Sequence, residues 1–306
     1  TIRSRGGRLF GDGGFAEVSG KEELHFAGNV DTTAENGKSG TLLLDPDFIT
    51  IAGGSGTASA SGASSFTTYE NILESVASTT NIDMVATNSI TFNNSLSFAQ
   101  TAGQSVTFTA TNGNISVTDS SDTIETSGGS IIMTAGGTLS IGAVDTNGGD
   151  ITLTGAEFTL SGALDAGVGT VTILGASGET IGLDGTTAST TASTISTICN
   201  GSACGLTLIQ SELSNITAAK LVIGDDSAGN MYVDGVTLSH ISGGTTLNSS
   251  GSSGSVEFGT GDTTIKKVTI NAGNGITVNG DLATTSTSIF NADYDETGTG
   301  TFTMTS

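Results

Sequence analysis

The stretch Ile124–Gly175 decides the fold, and in lines of twenty residues it reads IETSGGSIIMTAGGTLSIGA, VDTNGGDITLTGAEFTLSGA and LDAGVGTVTILG. Apolar residues fall in the same columns of each line, and glycines recur between those columns. The columns are Ile124, Val144 and Leu164; Ile131, Ile151 and Val171; and Met133, Leu153 and Ile173. A fixed period of this length is typical of a solenoid, in which each unit buries its apolar face against its neighbours.

Within each line the apolar residues alternate with polar ones, which is the period of a strand and not of a helix. Branched residues suit strands, and the Gly/Asn/Asp clusters suit turns. Twenty residues at ~3.3 Å each give a perimeter of roughly 65 Å, and successive coils would pair in parallel ~4.8 Å apart. The pattern predicts an all-β fold, a parallel β-helix (solenoid) with coils of about twenty residues and short helical or loop excursions. We expect the right-handed form, because parallel crossovers favour that hand.

The net charge is large although only 12% of the residues are charged. Eight Lys and Arg face thirty Asp and Glu, which gives a net charge of -22, and no Lys or Arg occurs between Ser39 and Ala219. Such a surface repels nucleic acid and anionic membranes, so neither is an expected partner. No apolar run approaches eighteen residues, and we predict no membrane span. The charge indicates solubility without self-association, with cation binding as the alternative.

Four segments are predicted along the chain. Residues 1–51 form a first β-helical segment, and 52–185 form the regular shaft with an excursion at 52–80. Residues 186–220 form an excursion around two cysteines, and 221–306 continue as a less regular β-helix. Because the chain begins at Thr1, we interpret it as a processed piece or an excerpt of a longer polypeptide.

Several local elements depart from the regular coil. We predict a loop or a loose crossing at Ala52–Ser65, and a short helix at Tyr69–Val76 with Thr67 or Thr68 as its N-cap. Thr186–Thr197 breaks the period, and Ser211–Ile216 reads as a helical turn. Gly243–Gly254 is either another loop or a coil with small residues at its corner. Early strands are predicted at Phe15–Val18, Leu24–Phe26, Thr41–Leu44 and Phe48–Ile51, with a corner at Asp45-Pro46-Asp47 because Pro cannot donate to a ladder.

The first fifty residues carry the most specific motif. It runs Gly13-Gly14-Phe15-Ala16-Glu17-Val18-Ser19-Gly20 and continues, after Val30-Asp31-Thr32, with Leu42-Leu43-Leu44-Asp45-Pro46. This segment resembles the filamentous haemagglutinin-type large exoproteins, including the high-molecular-weight non-pilus adhesins, which carry a similar GGF-x-E-x-SG stretch followed by LLDP just beyond their secretion domain. The Asn-Pro-Asn motif of that domain is absent, so we expect the domain to lie upstream or to have been removed.

The resemblance implies a function as well as a fold. It implies two-partner secretion through a dedicated outer-membrane pore, a right-handed β-helical shaft, and adhesion or cell–cell contact. The expected location is extracellular, at the surface of a Gram-negative-type bacterium. The expected partners are the secretion pore during export and a receptor or glycan on a host or neighbouring cell.

Two kinds of residue are candidates for a site. Cys199 and Cys204 lie in one short loop, and an even cysteine count in a secreted protein predicts a disulfide, with free thiols as the alternative. Stacked coils would place acidic residues in columns, where a hard cation such as Ca²⁺ could bridge them. The alternative is solvated turn residues, and no other cofactor is predicted. The acidic candidates are Glu125, Asp145 and Asp165; Asp225, Asp226 and Asp234; and Asp293 and Asp295.

Three function classes remain open. The first is a structural or adhesive shaft of a secreted exoprotein. The second is an extracellular filament or matrix subunit that stacks end to end as a homo-polymer, because an open coil presents unpaired backbone groups. The third is a polysaccharide-active β-helix enzyme, which would use paired carboxylates. We predict no enzyme, since no Trp and only three Tyr accompany the acidic residues.

Overall fold

The computed structural model describes residues 1–20, 24, 26, 28–55, 59–60, 65–185, 199 and 204–305. As the twenty-residue period predicts, the chain is a parallel β-helix of short strands stacked coil upon coil. It divides into two compact units: unit 1 comprises 1–152 and 159–167, and unit 2 comprises 153–158 and 168–306. The hand of the coils and the four-segment organisation stay predictions.

Unit 1 contains one short helix, α1 (Glu70–Glu74), among its described strands. The strands are β1 (Ile2–Arg3), β2 (Phe15–Ser19), β3 (Val30–Asp31), β4 (Thr41–Asp45), β5 (Phe48–Ala52), β6 (Ser59–Ala60), β7 (Ser65–Tyr69), β8 (Asn81–Ala86), β9 (Ser89–Phe92), β10 (Leu96–Thr101), β11 (Ser105–Ala110), β12 (Ile115–Val117), β13 (Thr123–Ser127), β14 (Ser130–Ala135), β15 (Thr138–Ile141) and β16 (Ala143–Asp145). Next in the chain, β17 (Ile151–Thr154) and β18 (Glu157–Leu160) each cross a boundary between the units, and β19 (Leu164–Asp165) belongs to unit 1.

Three sheets, parallel apart from the β6–β7 pair, form the sides of unit 1. One has the order β2-β4-β8-β11-β14, the second β10-β13-β16-β19, and the third contains β15-β12-β9-β5-β7-β6. The register places Ile124 beside Val144 and Val144 beside Leu164, so one predicted column is confirmed at its spacing of twenty residues. Other coils are longer, since Val106 lies beside Ile82 on one side and Ile131 on the other.

Alternation decides which side chains of unit 1 enter the core. In β11 the buried residues are Val106, Phe108 and Ala110, whereas the serine and threonines between them are half-buried on the outer face. Phe108 contacts the rings of Phe92 and Phe98 at centroid distances of 5.0 and 6.1 Å. Burying each such ring stabilises the fold by roughly 1.5–3 kcal/mol, so strands from three sheets are tied together at one point.

Unit 2 repeats this plan with its own short helix, α2 (Gln210–Leu213). Its strands are β20 (Thr170–Leu174), β21 (Ile181–Asp184), β22 (Leu206–Ile209), β23 (Ile216–Thr217), β24 (Lys220–Ile223), β25 (Met231–Asp234), β26 (Thr237–Leu238), β27 (Thr245–Ser249), β28 (Val256–Phe258), β29 (Thr263–Ile265), β30 (Val268–Ala272), β31 (Ile276–Val278), β32 (Leu282–Thr284), β33 (Ile289–Asn291) and β34 (Phe302–Met304). They form sheets in the orders β20-β24-β27-β30-β33, β22-β21-β25-β28-β31-β34 and β26-β29-β32.

An asparagine ladder follows one of these sheets. Asn248, Asn271 and Asn291 are register partners on β27, β30 and β33. The amide nitrogen of Asn271 donates to Oδ1 of Asn248 at 2.7 Å, and that of Asn291 donates to Oδ1 of Asn271 at 2.7 Å. Because Asn271 is only 9% exposed, these bonds satisfy polar groups that have little access to water.

Among the described residues of each unit, one extra strand pairs in parallel with an earlier strand toward one edge of a sheet. In unit 1, β7 pairs in parallel with β5 on the edge opposite β9, and α1 begins directly after it. In unit 2, β22 pairs in parallel with β21 on the edge opposite β25, and α2 follows. The residue before each helix, Tyr69 or Ile209, is still extended. Two regions without a shared sequence period therefore contain the same junction, an extra parallel strand followed directly by a short helix.

Two local predictions are wrong, and a third is confirmed with different bounds. In the strand predicted at Leu24–Phe26, His25 lies outside the described residues, and Leu24 and Phe26 are buried but not in a strand. An apolar alternation signals burial and does not by itself supply a pairing neighbour. The short helix predicted at Tyr69–Val76 is present as α1, which is shorter, and Tyr69 is its N-cap without a side-chain hydrogen bond. Phe66 and Thr68 are buried in strand alternation, which extends β7 to Tyr69 and displaces the predicted caps at Thr67 and Thr68.

Of the predicted loop at Ala52–Ser65, 56–58 and 61–64 lie outside the described residues. In the remainder, Ala52 ends β5, Ser59–Ala60 is β6 and Ser65 begins β7, so these residues are in strands. Of the two interpretations of Gly243–Gly254, the coil is the correct one, because it contains β27 with Thr245, Leu247 and Ser249 facing inward. The predicted turn at Ser211–Ile216 is α2, which starts one residue earlier and ends before Ile216 enters β23. The break at Thr186–Thr197 lies outside the described residues.

Candidate functional site

The structure confirms the acidic column predicted in unit 1. Glu125 is the register partner of Asp145, and Asp145 is the partner of Asp165. All three side chains are half-buried on the outer face. Strands in a sheet lie about 4.8 Å apart, so the three like charges are close together. Their repulsion is reduced where the carboxylate oxygens accept hydrogen bonds.

Two of these carboxylates are engaged by their own turns. Oδ1 of Asp145 accepts a hydrogen bond from the backbone N–H of Asn147 at 2.8 Å, and Oδ1 of Asp165 accepts one from Gly167 at 2.8 Å. Both donors have positive φ, 50° at Asn147 and 52° at Gly167. The acidic residues therefore stabilise tight turns, and a calcium ladder along the column stays a prediction.

Buried hydroxyl groups support the same turns from inside. Oγ1 of Thr146 donates to the carbonyl oxygen of Gly149 at 2.6 Å, and Oγ1 of Thr126 donates to that of Gly129 at 2.5 Å. A Cβ atom on Gly149 would collide with the carbonyl oxygen of Gly129, so the stacked turns need glycine at this position.

A second acidic region lies beside this column. A groove of about 320 Å³ is lined by Glu70 and Glu74 of α1 and by Ser97 and Glu125. Oε1 of Glu74 accepts the N–H of Ser97 at 2.7 Å, and Oε1 of Glu70 accepts the N–H of Gly54 at 2.8 Å. These carboxylates hold α1 against the coil.

The candidates of unit 2 are not gathered into one site. Oδ1 of Asp225 accepts both the N–H and the hydroxyl of Ser227 at 2.8 Å, whereas Oδ1 of Asp234 accepts the N–H of Gly261 at 2.6 Å. Asp226 is exposed in the same turn as Asp225. Asp225 thus stabilises its own turn and Asp234 holds the next coil.

The last acidic pair forms another turn. Both carboxylate oxygens of Asp293 accept the N–H of Gly298 at 3.0 Å, and Oδ1 of Asp295 accepts the hydroxyl of Thr297 at 3.1 Å. Across the described ranges, no group of three or more His, Cys, Asp or Glu side chains could hold a metal ion.

Cys199 and Cys204 form the predicted disulfide. Their Cα atoms are 5.4 Å apart, and Cys199 is buried. Gly205, next to the bridge, donates its N–H to Oγ1 of Thr180 at 3.0 Å. The disulfide thus lies just before β22, the extra strand of unit 2.

Several carboxyl groups outside these candidates have shifted pKa values. The guanidinium of Arg5 hydrogen-bonds Asp31 and holds the pKa of that carboxyl well below its usual range. Hydrogen bonds from its own turn lower the pKa of Asp119. Burial raises the pKa of Asp83 and that of Glu157. None of these groups belongs to the acidic candidates above.

A cationic feature of unit 2 escaped the sequence interpretation. Leu221, Thr245 and Val268 are register partners on three adjacent strands. The residues that precede them, Lys220, Gly244 and Lys267, therefore form an outer column in which glycine separates two exposed lysines. The signal was present, because Lys220, Lys266 and Lys267 are the only Lys or Arg residues after Lys38.

This column borders a groove of about 390 Å³, which we call the lysine groove. It is lined by Lys220, Gly243, Gly244, Thr245, Thr246, Lys267, Thr269 and Asn271. Gly244 has a φ of +105°, and a Cβ atom there would lie 2.9 Å from Cβ of Lys267. The carbonyl oxygen and the first side-chain carbons of Lys267 thus lie close to Gly244, where a larger residue would both strain the backbone and collide with Lys267.

Comparisons with known proteins add no relative. No protein-family model matches the chain, no curated protein matches it, and no solved structure matches it. In the part of the chain that the structure describes, no helix is both long and apolar enough to cross a membrane.

Proposed function

We propose that this chain is a structural and adhesive segment of a secreted bacterial cell-surface exoprotein. The observation that carries the proposal is the parallel register, repeated coil after coil, which offers a regular outer face in each unit. On that face the side chains are short and polar, as in the outward threonines of β11 and β20. Such a scaffold suits display and contact more than it suits an enclosed reaction site.

The physical basis is stiffness within each unit. Every internal strand exchanges backbone hydrogen bonds with both of its neighbours, so bending a stack breaks ladder bonds. Like residues stack inside, as with Ile82, Val106 and Ile131, which are all fully buried. A segment built in this way holds its outer side chains at fixed spacings.

Sequence and chemistry support export from the cytoplasm. The GGF-x-E-x-SG and LLDP motifs at 13–20 and 43–46 resemble those of exoproteins that leave through a two-partner secretion pore. The Cys199–Cys204 disulfide agrees with an oxidising compartment. The proposed location is therefore the extracellular surface of a Gram-negative-type bacterium.

A bead assay tests the adhesive role. Beads coated with the purified chain are counted on cultured host cells and on bacterial lawns, against beads that carry an unrelated acidic protein at equal density and net charge. We expect several-fold more bound beads for the chain. Equal counts on every surface would reject adhesion by this segment.

End-to-end assembly is the second candidate, favoured by one specific observation. The strands β33 and β34 expose Ile289, Phe290, Phe302 and Met304 at 48%, 38%, 47% and 69%. Exposed edges with apolar side chains are templates for pairing, and the partner under this hypothesis is a second copy. Light scattering in EGTA and in added Ca²⁺ tests it, and a constant monomer mass in both would exclude it.

A further inference from the structure

The lysine column places two like charges on either side of a gap. Lys220 and Lys267 are two strand spacings apart, about 10 Å between their backbone positions. Gly244 occupies the position between them and contributes no side chain. A small group of opposite charge could enter this gap and contact both ammonium groups.

Neither lysine has a counter-charge within the part of the chain that the structure describes. Neither forms an ion pair with a carboxylate of those residues, although the chain carries thirty acidic side chains. Both are exposed, so their ammonium groups are available to a ligand. In a protein of net charge -22, an uncompensated pair of cations is a local exception to the surface field.

The rest of the groove offers neutral hydrogen-bonding groups. Thr246 and Thr269 are register partners that face outward and are half-buried. Asn271 lies at the end of the groove, where the asparagine ladder holds its side chain on both sides. Hydroxyl and amide groups in a row can each donate and accept, which matches the hydroxyl groups of a sugar.

We propose that the lysine groove binds a saccharide that carries isolated oxyanions, carboxylate or sulfate, on a neutral, hydroxyl-rich framework. The oxyanion enters the gap over Gly244 between Lys220 and Lys267, and the sugar ring lies along Thr246 and Thr269 toward Asn271. A densely charged polyanion is disfavoured, because binding one requires many cationic contacts and the surrounding surface is acidic. The biological setting rests on the proposed adhesive function; the binding chemistry rests on the groove alone.

Titration of the purified full chain at low ionic strength tests the proposal. The probes are three oligosaccharides of equal length on the same neutral framework: one carries a single uronic acid unit, one carries a single sulfate ester, and one carries no charged group. We expect an acidic probe to bind, the neutral probe to bind at least ten-fold more weakly, and affinity to fall as salt is raised. The difference between the first two probes identifies the oxyanion.

Adjacent lysines supply a matched pair of variants. Lys267→Gln and Lys266→Gln remove the same charge from neighbouring positions, but Lys266 does not line the groove. We expect Lys267→Gln, and likewise Lys220→Gln, to weaken binding about ten-fold, and Lys266→Gln to change it less than two-fold. Circular dichroism checks that each variant keeps its strand content.

Three results would overturn the proposal: equal losses in Lys266→Gln and Lys267→Gln, equal binding of neutral and acidic probes, and no binding by any probe. Equal losses would mean that the charge acts diffusely and not through the groove. Because these titrations use defined sugars in solution, their failure leaves the bead assay as an independent test of adhesion.

Discussion

Two columns of stacked polar side chains, one in each unit, find their hydrogen-bond partners in different places. In unit 1, Glu125, Asp145 and Asp165 lie in register, and the two aspartates direct an oxygen to the N–H groups of their own turns. In unit 2, Asn248, Asn271 and Asn291 lie in register and donate to one another along the stack. Acidic residues in a column are bound within each coil, whereas amides link one coil to the next.

The difference follows from what each group can offer. An ionised carboxylate only accepts hydrogen bonds, so stacked carboxylates must find donors elsewhere. An amide both donates and accepts, so a column of amides satisfies itself in a poorly hydrated position. Neutralising the acidic column should therefore change the free energy of unfolding little, whereas introducing charges into the amide ladder should lower it.

The largest expected effect comes from turning the ladder into an acidic column. The triple variant Asn248→Asp, Asn271→Asp and Asn291→Asp should lose at least ~3 kcal/mol of unfolding free energy at pH 7, since neighbouring carboxylates ~5 Å apart repel strongly in a partly buried site. Burial and repulsion would raise the pKa values of these carboxyls in the folded state. As pH rises from about 4, the unfolded chain loses its protons first and stability falls, so the loss should disappear near pH 3–4.

Urea unfolding followed by circular dichroism between pH 3 and pH 8 measures this effect. The matched control neutralises unit 1 instead, with Glu125→Gln, Asp145→Asn and Asp165→Asn, and should change stability by less than ~0.5 kcal/mol at each pH. Equal losses in the two triple variants would contradict the comparison.

A single break in the ladder should cost less. Asn271→Leu keeps the branched shape and the number of heavy atoms but leaves Oδ1 of Asn248 and the amide nitrogen of Asn291 without their partners. We expect a loss of about 1–2 kcal/mol, measured by thermal or urea unfolding. Thr269→Val on the same strand is the control; if it destabilised as much, the ladder would have no special role.

In the acidic column, the hydrogen bond should matter more than the charge. Asp145→Ala removes the acceptor for the N–H of Asn147, whose φ of 50° needs support, and should cost about 1 kcal/mol. Asp145→Asn retains the Oδ1 acceptor and should stay close to the parent protein in the same unfolding assay. The prediction fails when both variants lose the same free energy.

Asp83 supplies the smallest and most specific pH test. It faces outward on β8, and burial raises its pKa. Above the unfolded pKa of about 4, the raised folded pKa costs stability. Asp83→Asn should therefore stabilise the protein by about 0.5 kcal/mol at pH 7 after screening by solvent, and by nothing at pH 3. A benefit that persists unchanged at pH 3 would show that charge is not its origin.

The sequence predicts most where its period is strict. The spacing of twenty residues is enough to place Glu125, Asp145 and Asp165 in register, because each coil there has the same length. It says less where inward positions are polar: Thr245 and Ser249 fill the core side of β27, and a search for apolar alternation does not find them. A single apolar residue, Leu247, was too weak a signal for a strand.

The lysine groove depends on information that the period does not contain. Lys220, Gly244 and Lys267 are separated by coils of unequal length, so only the structure places them in one column. The carboxylate hydrogen bonds to turns are equally hidden, since an acidic residue in a turn looks the same in sequence whether it binds a cation, water or its own backbone. Register can be predicted from sequence where successive coils have the same length, but hydrogen-bond partners cannot.

The extra strands β7 and β22 have a consequence for engineering. After β21 the chain returns as β22 to pair beside it, but the strands that follow, β24 and β25, pair with β20 and β21. The coil that follows is therefore positioned by strands that precede the connection, whatever length of chain lies between Asp184 and Leu206. The entropy of closing such a connection grows only slowly with its length. These two junctions are therefore natural places to graft a foreign peptide or a whole domain for display, leaving the ladder on either side intact.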